Sequence, residues 1–184
     1  MIMKLRNICV ALVASLAAAL PLQARVEPAT HNLISMLKGH GVDIHVNSSH
    51  CITYNIHGAY LTYANGSRAM VFCPGESWDA IDHSTVRHEM THALQHCINI
   101  KRGTHRNTPI LSRSKLRDLV NTYVPDTEVI FVKSSYPREK WLVEFEASYV
   151  ERMMTSRQLI QLWNHHGCPE VFNVQASNTV HSSQ

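Results

Sequence analysis

The sequence predicts an α+β domain: an N-terminal helix, a short β-sheet containing a hairpin, then a long helix and further C-terminal helices. Three patterns carry this expectation. Apolar residues fall at helical spacing near the start and through the second half, they alternate with polar residues over 42–46, and two extended runs flank Asn65-Gly66. The composition agrees with one globular domain. Of 184 residues, 45% are hydrophobic and 17% charged, with seven Gly and seven Pro, which excludes collagen-like, low-complexity and wholly disordered chains. Seventeen Lys+Arg against fourteen Asp+Glu give +3, and no basic block is interleaved with aromatics, so nucleic acid is not an expected partner. Thirteen His is a high count for this length and asks for a reason.

Residues 1–24 read as a secretory signal peptide. Lys4 and Arg6 precede an apolar run from Ile8 to Leu22, and Ala24 offers a small residue before the cut. The run, about fifteen residues, is shorter than the roughly twenty needed to span a bilayer, so no stable membrane anchor is expected after cleavage. The expected mature domain covers 25–174, with a frayed Ser/Asn-rich tail over 175–184, and its location is secreted or periplasmic. Four Cys remain after cleavage, and an even number in an exported chain suggests two disulfides. Of the three possible pairings the layout favours Cys51–Cys73, between neighbouring strand ends, and Cys97–Cys168, between the long helix and the C-terminal segment.

The elements follow in order. Leu33, Met36 and Leu37 place a helix over Thr30–Lys38, ended by Gly39 and Gly41. Val42–Val46 alternates as a half-buried strand does, and Ile52–Ile56 reads as a second extended stretch. Ala59–Ala64 and Arg68–Cys73 flank Asn65-Gly66, whose residues suit the positive φ angles of a tight hairpin turn. A helix starting at Ser77 or Asp82 runs to about Ile100. Ser112–Tyr123 is a further helix, Thr127–Val132 a short strand, and Pro137 opens a helix reaching about Met154. Gln158–Asn164 adds a last helical segment.

The long helix holds His88-Glu89-Met90-Thr91-His92. Two imidazoles four residues apart share a helix face and can bind one Zn²⁺, while the intervening Glu can deprotonate a zinc-bound water. Composition alone gives on the order of 0.04 chance matches to this pattern, so its context must agree. It does: Val86, Met90, Ala93, Cys97 and Ile100 cluster on another side of the helical wheel, leaving the ligand side to a cleft, with the strand near Met70–Val71 as a border. His96 stands about 12 Å along the helix from His88, too far to share an ion. On the helix around Trp141–Ser148, Glu144 shares a face with small Ala147 and Ser148, which allow close approach, and with Glu151. Glu146 points about 160° away. Glu144 is the expected third ligand, with Glu146 the alternative.

This combination, His88-Glu89-x-x-His92 followed by Glu144-x-x-Ala147, resembles the gluzincin metallopeptidases, whose zinc is held by two helical His and a downstream helical Glu. The resemblance covers two helices. It implies a small zincin-like fold, one Zn²⁺ per chain held by His88, His92 and Glu144, Glu89 as general base and later proton donor, and a peptide or protein substrate. A zincin subclass with its third ligand six residues after the second His is excluded, because Ile98 stands there. Many family members carry an Asp four residues after the ligand Glu to orient a ligand His. Here that position is Ser148, so support for the imidazoles falls to Ser148, Glu151 or a backbone carbonyl.

The oxyanion of such a reaction needs a stabiliser beside the metal, for which Tyr149, His83, His165 and His166 are candidates by type. The strand after Asn65-Gly66 is a candidate edge for pairing with an extended peptide. Two other classes stay open: a non-catalytic zinc-binding module, and an exported scaffold stapled by its disulfides.

Overall fold

The structure is a computed structural model that describes residues 27–75, 78–104 and 107–172. The expected signal peptide over 1–24 and the expected tail over 175–184 lie outside the described residues. The architecture is α+β, with a small mixed sheet and surrounding helices, as expected. Elements run α1 (Pro28–Gly39), β1 (Val42–Val46), α2 (Ser49–Tyr54), β2 (Gly58–Thr62), β3 (Arg68–Phe72) and α3 (Ala80–Lys101). Then come α4 (Arg113–Tyr123), α5 (Asp126–Ser135), α6 (Trp141–Met153) and α7 (Ser156–His165). No helix among the described residues is long and apolar enough to cross a membrane.

The strand order is β1-β3-β2, with β1 parallel and β2 antiparallel to β3. The central strand is buried along its length, down to Arg68, whose guanidinium reaches the Phe172 carbonyl and lies 3.9 Å over the Phe172 ring. Because β3 is paired on both sides, the strand after Asn65-Gly66 has no edge for a peptide. The sheet's edges belong to the outer strands β1 and β2. The hairpin itself forms, but only Gly66 takes a positive φ, at 82°. Asn65 instead uses its side chain, accepting from the Ser67 N–H and hydroxyl at 3.0 and 2.7 Å. With Gly66 N–H on the Tyr63 carbonyl and Tyr63 N–H on the Ser67 carbonyl, this is a three-residue loop ending in a left-handed Gly.

Two stretches expected to be extended are helices. Ile52–Ile56 overlaps α2, which starts after Ser48 and ends at Asn55 in the left-handed region, φ 48°. Nothing in α2 is buried, and Ile52 is 89% exposed, so its β-branched residues report no strand packing. Thr127–Val132 lies in α5, which Pro125 starts and where Asp126 and Glu128 suit the helix N-terminus. α6 begins at Trp141 rather than at Pro137, which sits in the preceding turn: Lys140 N–H bonds the Pro137 carbonyl.

Helix α3 is the axis of the molecule. Asp79 caps it by accepting from the Ile81 and Asp82 N–H groups, and Asp82 returns the bond to the Asp79 N–H, a closed capping box. It does not bury one side only, as the sequence suggested; Glu89–Gln95 is continuously buried because partners cover it all round. On one side lies the larger core, where Met90, Cys97 and Ile98 meet Leu33, Phe72, Leu159 and Trp163. Beyond α6 a second core gathers Leu116, Val120, Val132 and Phe145. Both expected disulfides are present. Cys51–Cys73 ties α2 to the end of β3, and Cys97–Cys168 ties α3 to the segment after α7.

Candidate metal centre

Helix geometry puts His88 and His92 one turn apart, with ring centroids 4.9 Å from each other. α6 crosses at this point, its Ala147 and Ser148 fully buried, and brings in Glu144. Its Oε2 stands 3.4 Å from His88 Nε2 and 3.3 Å from His92 Nε2. The other nitrogen of each ring is already engaged: His88 Nδ1 with Glu151 Oε2 at 2.8 Å, His92 Nδ1 with Gln95 Oε1 at 2.9 Å. Both Nε2 atoms therefore converge on one carboxylate oxygen. Ligands about 2.0–2.1 Å from a tetrahedral ion stand about 3.3 Å apart, so the donor set His88, His92 and Glu144 fits a metal ion with little rearrangement.

The electrostatics around the triad suit a cation. Burial opposes the charge on His88, but hydrogen bonds to Glu144 and Glu151 push its pKa up to about 10. Burial likewise opposes ionisation of Glu144, and its bonds to the two histidines pull it down to about 2. Without a metal the triad is an internal ion pair, and a metal must displace the proton on His88.

The remaining residues sort clearly. Glu89 lies beside β2, its Cγ close against Gly58, and is 6% exposed. Burial raises its pKa, partly offset by the two histidines. Glu146 is no ligand. Its carboxylate accepts from Gln95 Nε2 at 2.9 Å and from the Ile110 and Leu111 N–H groups at 2.7 and 2.8 Å, fully engaged and 1% exposed. Ser148 does not support an imidazole; its hydroxyl donates to Glu128 at 3.2 Å. Of the three supports considered, Glu151 serves His88. Gln95, which serves His92, was missed, because nothing in the sequence says which polar residue follows a ligand His onto the same face.

A cleft of about 730 Å³ opens beside the triad, lined by His88 and Glu89, by Ile56–Gly58 leading into β2, by Ile81, and by Phe131 and Tyr136 from the other side. The strand bordering it is thus β2, not β3 at Met70–Val71. None of the four residues considered for oxyanion contact lines it. Tyr149 stacks near Tyr123, His83 packs near Trp78, and His165 and His166 sit at the end of α7, where Lys101 bonds the His166 carbonyl. His96 bonds the Tyr60 hydroxyl at 2.8 Å. Tyr136 does face the cleft, and burial together with Glu144, Glu89, Glu128 and Glu151 raises its pKa, so the phenol stays protonated.

Comparison with protein-family models, with curated proteins and with solved structures finds no match for this chain.

Proposed function

We propose that this protein is an exported zinc-dependent peptidase that hydrolyses peptide bonds in its cleft, with Glu89 as general base. The observation that carries the reading is the convergence of two imidazole Nε2 atoms on one carboxylate oxygen, 3.4 and 3.3 Å away, beside a buried carboxylate and an open cleft. Two imidazoles and one carboxylate leave a fourth position open, the pattern of a catalytic rather than a structural zinc site. Two disulfides support export.

Zinc at this site supplies a Lewis acid and a water acidified toward neutral pH. The chain's own residues supply the rest. Glu89, with its pKa raised by burial, accepts a proton at its carboxylate and passes it to the leaving amine. Tyr136, protonated at the cleft wall, donates to the developing oxyanion. Ile81 and Phe131, 59% and 54% exposed, give the mouth an apolar surface suited to side chains flanking the scissile bond.

The test is cleavage of a mixed peptide pool by the zinc-loaded mature protein, followed by mass spectrometry, with Glu89→Gln alongside. Cleavage that falls about 10²–10⁴-fold in the variant while zinc is retained supports the reading. Zinc binding without cleavage by the wild type would leave a zinc-binding module instead.

A further inference from the structure

Residues of α3 between Ile81 and Glu89 line the cleft, and the elements flanking them differ. On one side β2 lies directly on the helix: a Cβ on Gly58 would stand 2.6 Å from Thr85 Cγ2 and 3.1 Å from Glu89 Cγ. On the other side α5 and α6 bring Glu128, Glu151 and Arg152, and these acids are spoken for. Glu128 Oε1 accepts from the Ser148 hydroxyl at 3.2 Å, and its Oε2 stands 3.6 Å from Arg152 Nη2. Glu151 Oε2 meets His88 Nδ1 at 2.8 Å, and its Oε1 stands 4.0 Å from Arg152 Nε. Arg87, which also lines the cleft, is different. Its Nε–H donates to the Glu151 backbone carbonyl at 2.9 Å, a neutral partner, and it forms no ion pair among the described residues. The bond at Nε fixes the plane of a half-buried guanidinium and leaves its two Nη groups, a fork that matches a carboxylate. Fastening α6 to α3 accounts for the Nε bond. It does not account for an unanswered charge partly withdrawn from water, where a cation is ordinarily paired.

We infer that Arg87 determines specificity: its guanidinium pairs with a carboxylate of the bound peptide, either the chain's C-terminus or an Asp or Glu side chain. A role in cleavage rests on the peptidase reading; carboxylate recognition in the cleft does not.

The test uses mature, disulfide-bonded, zinc-loaded Glu89→Gln protein, immobilised and offered matched heptapeptide pools. The pools contain or lack Asp and Glu and end in a free carboxylate or an amide, and mass spectrometry reads what is retained. Acid-bearing peptides are retained about tenfold or more over their neutral matches, and adding Arg87→Gln abolishes the ratio. Arg87→Lys, which keeps the charge without the fork, restores part of it. Wild-type turnover shows the same ratio in kcat/KM. Selection of the free over the amidated end supports the proposal with the chain terminus as the carboxylate, and selection of Asp and Glu supports it with a side chain. Pools retained equally, or none retained, overturn it. So does an Arg87→Gln protein that holds every pool less well but keeps the ratio, the result of a merely structural role. Acid-selective, Arg87-dependent retention in a protein whose wild type cleaves nothing supports the proposal and removes the peptidase reading.

Discussion

His92 and Gln95 lie one turn apart on α3, and the 2.9 Å contact between Nδ1 and the Gln95 amide oxygen fixes which imidazole nitrogen remains for a metal. The same amide donates to Glu146 and to the Val143 carbonyl of α6. Glu146 in turn holds the Ile110 and Leu111 N–H groups. A buried polar chain thus runs from a metal ligand through α6 to the loop before α4.

Replacing Gln95 by Leu removes two donors and an acceptor from this chain. Zinc affinity falls about 10–100-fold, because His92 loses the partner that sets its tautomer. Stability falls by about 1–3 kcal/mol, since Glu146 is left buried with one hydrogen bond fewer. Chelator competition and urea unfolding read the two effects. Unchanged zinc affinity would show that His92 is oriented by packing alone.

The pKa shifts predict an unusual pH dependence for the metal-free protein. His88, raised from 6.5 to about 10, stabilises the fold fully below pH 6.5 and loses that contribution as pH rises through 10. Glu144, lowered from 4.5 to about 2, stabilises it above pH 4.5 and loses that contribution as pH falls through 2. Glu89, raised by burial, also costs stability as pH rises above 4.5. The metal-free Tm is therefore highest near the acid end of the window from pH 4.5 to 6.5 and declines toward pH 10. Zinc raises Tm little at pH 5.5 and progressively more toward pH 9, because it competes with the proton on His88. Scanning calorimetry with and without zinc checks this, and a zinc-induced shift independent of pH would contradict it.

Tyr136→Phe deletes one hydroxyl from the cleft wall. If that hydroxyl meets the oxyanion, kcat falls about 10²–10³-fold with KM little changed and zinc fully bound. A variant with wild-type kcat would assign Tyr136 to the shape of the cleft only.

The two disulfides differ in the loops they close, with sequence separations of 71 for Cys97–Cys168 and 22 for Cys51–Cys73. In the chain-entropy picture the longer closure contributes about 4 kcal/mol and the shorter about 3 kcal/mol. Replacing Cys97 and Cys168 by Ala is thus the more destabilising change in urea unfolding. The reverse order would mean that the short link between α2 and β3 holds more than its own loop.

Much of the candidate site was legible because its logic is local to helices. A four-residue spacing brings His88 and His92 together, and helical phase separates Glu144, which reaches the two imidazoles, from Glu146, which turns to Gln95 and the Ile110 and Leu111 N–H groups. The two misread stretches are short and rich in β-branched residues, where periodicity cannot distinguish strand from helix. In α5 the signal that mattered was Pro125 followed by Asp126 and Glu128, a helix start. Gln95, Gly58 and Tyr136 could not be found in the sequence. Each matters through a partner brought from far along the chain: Glu146 for Gln95, Thr85 for Gly58, and the carboxylates around the cleft for Tyr136. The parallel pairing of β1 with β3 is likewise a tertiary fact, since the intervening α2 and β2 carry no mark of it.

The most direct test of the account is zinc stoichiometry by elemental mass spectrometry on the mature, disulfide-bonded protein, with Glu144→Ala measured beside it. The account predicts one zinc per wild-type chain and severely weakened binding in the variant. A wild type that takes up no zinc on reconstitution would contradict it, as would a variant that binds zinc as tightly as the wild type.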